Sequence, residues 1–131
     1  APRYRDVMVE IARFFAEAIA RAEGAGIAPE RILIDPGLGF GKTVSHNLRL
    51  LRHLAHFRTL GKPIVIGPSR KSFIGRVLEA ETHERLAGTL ACVAATAQQV
   101  HMVRVHDVKA TVQFLTMWRA IETANASGRQ H

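Results

Sequence analysis

Residues 64–75 read I-V-I-G-P-S-R-K-S-F-I-G. Ile64, Val65 and Ile66 are a short unbroken apolar run, the pattern of a parallel strand covered on both faces. Pro63 opens this predicted strand, and Gly67-Pro68 stops it. A helix is expected over 71–78, so the stretch is a strand feeding a helix, with Ser69, Arg70, Lys71 and Ser72 at the junction. The same pattern recurs on either side. Ile32-Leu33-Ile34 breaks into D-P-G-L-G-F-G-K-T, and a third strand over 102–105 ends in Arg104-Val105-His106-Asp107. Helices are expected between them. Val7, Ile11, Phe14, Phe15, Ala18, Ile19 and Ala22 form a one-sided stripe over 4–23, ended by Gly24 and Gly26. Leu48, Leu50, Leu51, Leu54 and Phe57 mark a second helix closed by Gly61. An alanine-rich helix over 84–100 and a last one over 108–124 complete the order. Strands alternating with helices imply an α/β fold with parallel strands and right-handed crossovers. Three strands cannot close a barrel, which needs about eight. The chain is therefore a small open sheet or a piece of something larger.

At 131 residues and 47% apolar content there is room for one domain with a core. No apolar stretch approaches the roughly 18 residues that cross a bilayer, and no charged-then-apolar leader opens the chain. The first turn reads as a linker, so a native start upstream is expected. Cys92 is the only cysteine, which excludes an internal disulfide and fits a reducing, cytoplasmic setting. Its small-residue helical surroundings suit core packing. The net charge of +7 could attract an anionic partner. The basic residues are dispersed, however, and aromatics make up only 6%, which argues against nucleic acid and leaves a small anionic ligand.

The glycine loop over 37–43 resembles nucleotide motifs only superficially. A phosphate loop needs glycine five positions before Gly41, where Pro36 stands, and Gly37-x-Gly39 lacks the third glycine of a dinucleotide fingerprint. The glycines instead allow close approach to a ligand. Phe40 is either a core plug or an exposed aromatic in a flexible loop. Asp35 either caps the following turn or accepts two parallel hydrogen bonds from the planar N–H/NH₂ edge of a guanidine-like or aminopyrimidine ring. Ser69 reads as a helix cap and Ser72 as a first-turn donor, at a helix start that suits a carboxylate or phosphate. Two adjacent cations, Arg70 and Lys71, oppose the dipole there, which points to a functional reason for at least one. Arg104 and His106 share one side of their strand, either as a surface edge or as a pair over a diphosphate. Asp107 is expected to cap the final helix. His53, His56, His83 and His131 fall on helix faces or in the tail, and no histidine has metal-ligand spacing.

Four segments together resemble dihydropteroate synthase: D-P-G-L-G-F-G-K-T, G-P-S-R-K-S-F-I-G, E-R-L-A-G-T-L-A and R-V-H-D-V, in that family's order and spacing. The resemblance implies that residues 1–131 are the C-terminal half of a pterin-binding domain. This would be the part of a (β/α)₈ TIM barrel with strands six to eight, incomplete in this chain. It implies condensation of 6-hydroxymethyl-7,8-dihydropterin diphosphate with 4-aminobenzoate, with Mg²⁺ held by ligands outside this chain. Asp35, Lys71 and Arg104 would bind the pterin. Arg104 and His106 would bind the diphosphate, and Phe40 and Ser72 the aminobenzoate, with Lys71, Arg104 and His106 as the catalytic groups. A missing N-terminal half-barrel or self-association would cover the open edges, and a homodimer is expected. Two other readings compete: a pterin-binding methyltransferase, which has less reason to carry S-R-K-S with R-V-H, and a non-catalytic fragment that kept the motifs. Binding of aminobenzoate or a sulfonamide separates the first of these from a synthase, and pterin affinity without turnover would favour the second.

Overall fold

The computed structural model describes residues 4–38 and 43–124. Helix α1 (Tyr4–Gly24) is followed by α2 (Val44–Arg52), strand β1 (Val65–Ile66), α3 (Ser72–Leu78), α4 (Leu86–Thr96), strand β2 (Met102–Val103) and α5 (Val108–Thr123). The chain is an α/β alternation, mostly helical, and its strand pairing is parallel throughout: Val65 with Met102, Ile66 with Val103, and a single bridge between Ile34 and Ile64. The first expected strand is thus one bridge and the third is two residues long. Proline explains part of the shortening. Pro36 has no N–H to continue the first run, and Gly67-Pro68 ends β1. His101, a residue the motif reading passed over, also intervenes. Its Nδ1 accepts the Ile64 N–H at 3.0 Å, where a ladder carbonyl would otherwise stand.

The pleat sorts the strand residues onto two faces. Ile34, Ile64, Ile66 and Val103 face the helices; the first three are buried in one core with Phe15, Leu50, Leu54, Phe57 and Phe73. Leu33, Val65 and Met102 share the other face. Val65 is 7% exposed, so β1 is covered on both faces as expected, whereas Leu33 and Met102 are each 52% exposed, so the first run and β2 are covered on one.

Local signals decide the helix ends. The Thr43 hydroxyl caps α2 by accepting the His46 N–H at 3.0 Å. The second helix does not run unbroken to Phe57. It tightens at His53 into a 3₁₀ segment, Leu54–Leu60, which Gly61 closes with φ of 73°. The alanine-rich helix is shorter than expected because Arg85 stays outside it, its Nε donating to Ala80 O and its Nη1 to Arg70 O, both at 3.0 Å. Helices α3 and α4 then approach very closely: a Cβ on Gly88 would sit 2.3 Å from Ile74 Cγ2.

Candidate active site

Pleat parity and register gather the site. Asp35 lies on the same face as Leu33, Gly67 on that of Val65, and Arg104 on that of Met102, and extending the β1–β2 register sets Gly67 beside Arg104. These three residues follow the last paired residues of three parallel runs. The Arg104 guanidinium crosses Gly67 and donates from Nη2 to Asp35 Oδ2. A Cβ on Gly67 would sit 2.8 Å from that Nη2, so glycine at this rung is what lets the arginine lie across it. The sequence reading used Gly67 only as a strand stop. Asp35 Oδ1 meanwhile accepts the Gly37 N–H at 2.9 Å, with Gly37 at φ of 70°. The turn-capping role and a place in the polar mouth therefore coexist in one carboxylate.

The junctions after β1 and β2 are tied together twice. Ser69 Oγ lies 2.8 Å from His106 Nδ1 and accepts the His106 backbone N–H at 3.1 Å. Ser69 does not cap α3, whose N-cap is Lys71, so that expectation is corrected. Helix α3 begins three residues after the serine, too far along for its hydroxyl to serve as the cap. The next residue along each segment makes the second tie: Arg70 grips Asp107 with Nη2 to Oδ1 at 2.7 Å and Nε to Oδ2 at 3.2 Å. Asp107 occupies the N-cap position of α5 but makes no side-chain cap, a further correction. A two-pronged, charge-assisted contact outcompetes one backbone N–H for the carboxylate. Arg70 also holds φ of 55°, with its N–H on Thr89 Oγ1 at 3.0 Å and its carbonyl on Arg85. Its charge is thus spent on structure, which resolves the apparent excess of cations at the start of α3.

Hydrogen bonding to Arg70 is the main cause that holds the Asp107 carboxyl below its ordinary value of 3.8. The sign follows from linkage: a carboxyl depressed in the folded state contributes stability above its unfolded value and loses it as pH falls through the folded one. Wild type should therefore lose stability on acidification below about pH 4. In chemical denaturation at pH 3 and pH 6, Asp107→Asn should show a smaller difference between the two. An unaltered difference would remove this pair from the acid response. Burial pushes the Cys92 thiol up to about 11, so it stays protonated at neutral pH, as suits a packing role.

Of the other expected site residues, Lys71 is half-buried at the α3 N-cap and Ser72 is the exposed first residue of α3. Phe40 lies outside the described residues. A hollow of ≈ 510 Å³ between α1 and the Asp35 turn is lined by Phe14, Phe15, Asp35 and Gly37 among others; Lys71, Arg104 and His106 do not line it. Among the described residues no group of three or more His, Cys, Asp or Glu could hold a metal ion, and no helix is long and apolar enough to cross a membrane.

The sequence profile of a family described as pterin binding enzyme matches residues 1–106. Dihydropteroate synthase of Escherichia coli (strain K12) is 50% identical over 130 residues, covering 98% of this chain and 46% of that protein. A structure of dihydropteroate synthase from Xanthomonas albilineans in complex with 7,8-dihydropteroate has a TM-score of 0.88 at 45% identity, covering 95% of this chain and 48% of that one. The same enzyme with 4-aminobenzoic acid also has a TM-score of 0.88, at 46% identity, covering 95% of this chain and 46% of that one. The resemblance read from the four motifs is borne out, and the chain spans about half the length of the relatives it matches.

Proposed function

This chain belongs to the pterin-binding enzyme family, and from that premise we propose that it supplies the C-terminal half of a dihydropteroate synthase active site, strands six to eight of a (β/α)₈ barrel. The reaction is the condensation of 6-hydroxymethyl-7,8-dihydropterin diphosphate with 4-aminobenzoate, releasing diphosphate. The observation that supports it most is the polar line from Asp35 across Gly67 to Arg104, beside the Ser69–His106 contact.

An ionised carboxylate has about four lone-pair sites. Among the described residues Gly37 and Arg104 take two on Asp35, which leaves two for the paired N–H groups of the pterin's aminopyrimidine edge. Lys71 takes another polar edge of the pterin, Arg104 stacks on the ring, and Phe40 and Ser72 receive the aminobenzoate. Departure of diphosphate leaves a stabilised pterin cation, and the attacking aniline nitrogen is already nucleophilic. Positioning and charge stabilisation at the leaving group therefore dominate, with Arg104 and His106 facing the developing negative charge. The described residues do not fit a metal site of their own. Mg²⁺ would depend on ligands elsewhere. Since the chain covers 46% of its Escherichia coli relative, turnover by these residues alone is not expected. The remaining half-barrel or a second copy would cover the exposed strand face.

In the polypeptide extended to the relatives' length, Lys71→Ala and Arg104→Ala should each lower kcat/KM by at least about tenfold, as loss of one charge-assisted contact to the reacting ligand does. Normal steady-state kinetics in both variants would move the site elsewhere.

A further inference from the structure

We infer that Ser69 is a positioning residue that keeps the proton of neutral His106 on Nε2, so that the ring presents an N–H donor to an anionic oxygen. The identity of that oxygen rests on the diphosphate reading above; the proton placement does not.

Ser69 is only 9% exposed, and both of its side-chain contacts are to His106. Its oxygen accepts the His106 backbone N–H and also lies 2.8 Å from Nδ1. Two arrangements satisfy the second contact. If Nδ1–H donates to Oγ, the oxygen accepts twice and the hydroxyl proton needs a third partner. Among the described residues Ser69 has no third partner, and a buried O–H left unpaired is disfavoured. If Oγ–H donates to Nδ1, every polar group is paired. The second arrangement therefore holds, and a neutral imidazole whose Nδ1 accepts must carry its proton on Nε2.

The contact is also held to one geometry. A single serine–histidine bond would let the two segments swivel. The adjacent Arg70–Asp107 fork fixes their mutual rotation, and Thr89 and Arg85 anchor Arg70 to α4. The donor at Nε2 then exists whether or not the ring is charged, so His106 can hold an anion without first binding a proton.

The test uses the ¹⁵N-labelled chain and long-range ¹H–¹⁵N spectra of its imidazoles at a pH where His106 is neutral. Nδ1 should show the shift of a bare acceptor nitrogen and Nε2 that of a protonated one. The reverse pattern overturns the inference, and this wild-type measurement stands even where a variant fails to fold. Titration of the polypeptide extended to the relatives' length with inorganic diphosphate, followed at the His106 ring, should then require about tenfold more ligand for half-saturation in Ser69→Ala. Ser69→Thr, which keeps the hydroxyl, should stay near wild type. Equal half-saturation in wild type and Ser69→Ala overturns the positioning role and leaves the site reading standing. Diphosphate moving no His106 signal in wild type overturns the diphosphate reading, while the nitrogen shifts still decide where the proton sits.

Discussion

Asp35→Ala, made in the polypeptide extended to the relatives' length, should weaken pterin binding by about 2–4 kcal/mol, roughly 30- to 900-fold in Kd. The size follows from what the substitution strands. A planar ligand edge with paired N–H groups loses a charged acceptor. The variant also releases Arg104 and the Gly37 N–H from their present partner. The measurement should therefore use hydroxymethylpterin without its diphosphate, by calorimetry, so that diphosphate contacts of a displaced Arg104 do not add to the result, and Arg104→Ala measured alongside gives the share of the loss that passes through its stacking. Asp35→Asn is the informative companion. Its amide oxygen keeps the Gly37 bond, but its NH₂ would face a guanidinium, so an intermediate loss is expected. Pterin affinity unchanged in Asp35→Ala would take this carboxylate out of the site and, with it, the main support for the proposed function.

Phe57→Ala should be the most damaging single change to folding, at about 3–5 kcal/mol. Phe57 is 0% exposed, and its ring meets Phe15 edge-on, with centroids 5.6 Å apart at 85°. Truncation removes the transfer free energy of the ring, leaves a cavity between α1 and the 3₁₀ segment, and deletes an aromatic pair worth about 0.5–1.5 kcal/mol. Against a typical domain stability of about 5–15 kcal/mol, such a loss brings the chain close to unfolding. Phe14→Ala is the control. Phe14 is 61% exposed although it falls in the same apolar stripe, and its loss should cost about 1 kcal/mol at most, its tilted contact with Phe15 at 6.0 Å included. Urea midpoints of the two variants decide the matter. A Phe57 loss below about 1 kcal/mol would mean that α1 does not close the core as described.

The contrast between these two phenylalanines shows where periodicity stops. Adjacent aromatics both satisfy a helical stripe, but only one can face the core once α1 settles against the 3₁₀ segment. The site has the same limit. Asp35, Lys71, Arg104 and His106 were identifiable because each follows an apolar run, and the four motifs named the family. Ser69 and Asp107 were read as caps because the cap is the partner available within a few residues. Their real partners lie 37 residues away, on the other junction. Gly67 looked like punctuation until its neighbour in the next strand proved to be the arginine that crosses it.

Apolar runs, helical stripes and breaking residues act over a few residues, so the amino-acid order alone determined the alternation of strand and helix and which polar groups stand at strand ends. Which of those groups touch was decided by register. A parallel ladder sets residues from distant segments side by side, and the strongest available contact, a forked guanidinium on a carboxylate or a buried hydroxyl on an imidazole, then displaces the local one. No property of a short stretch carries that outcome, because the competing partner arrives only when the strands pair.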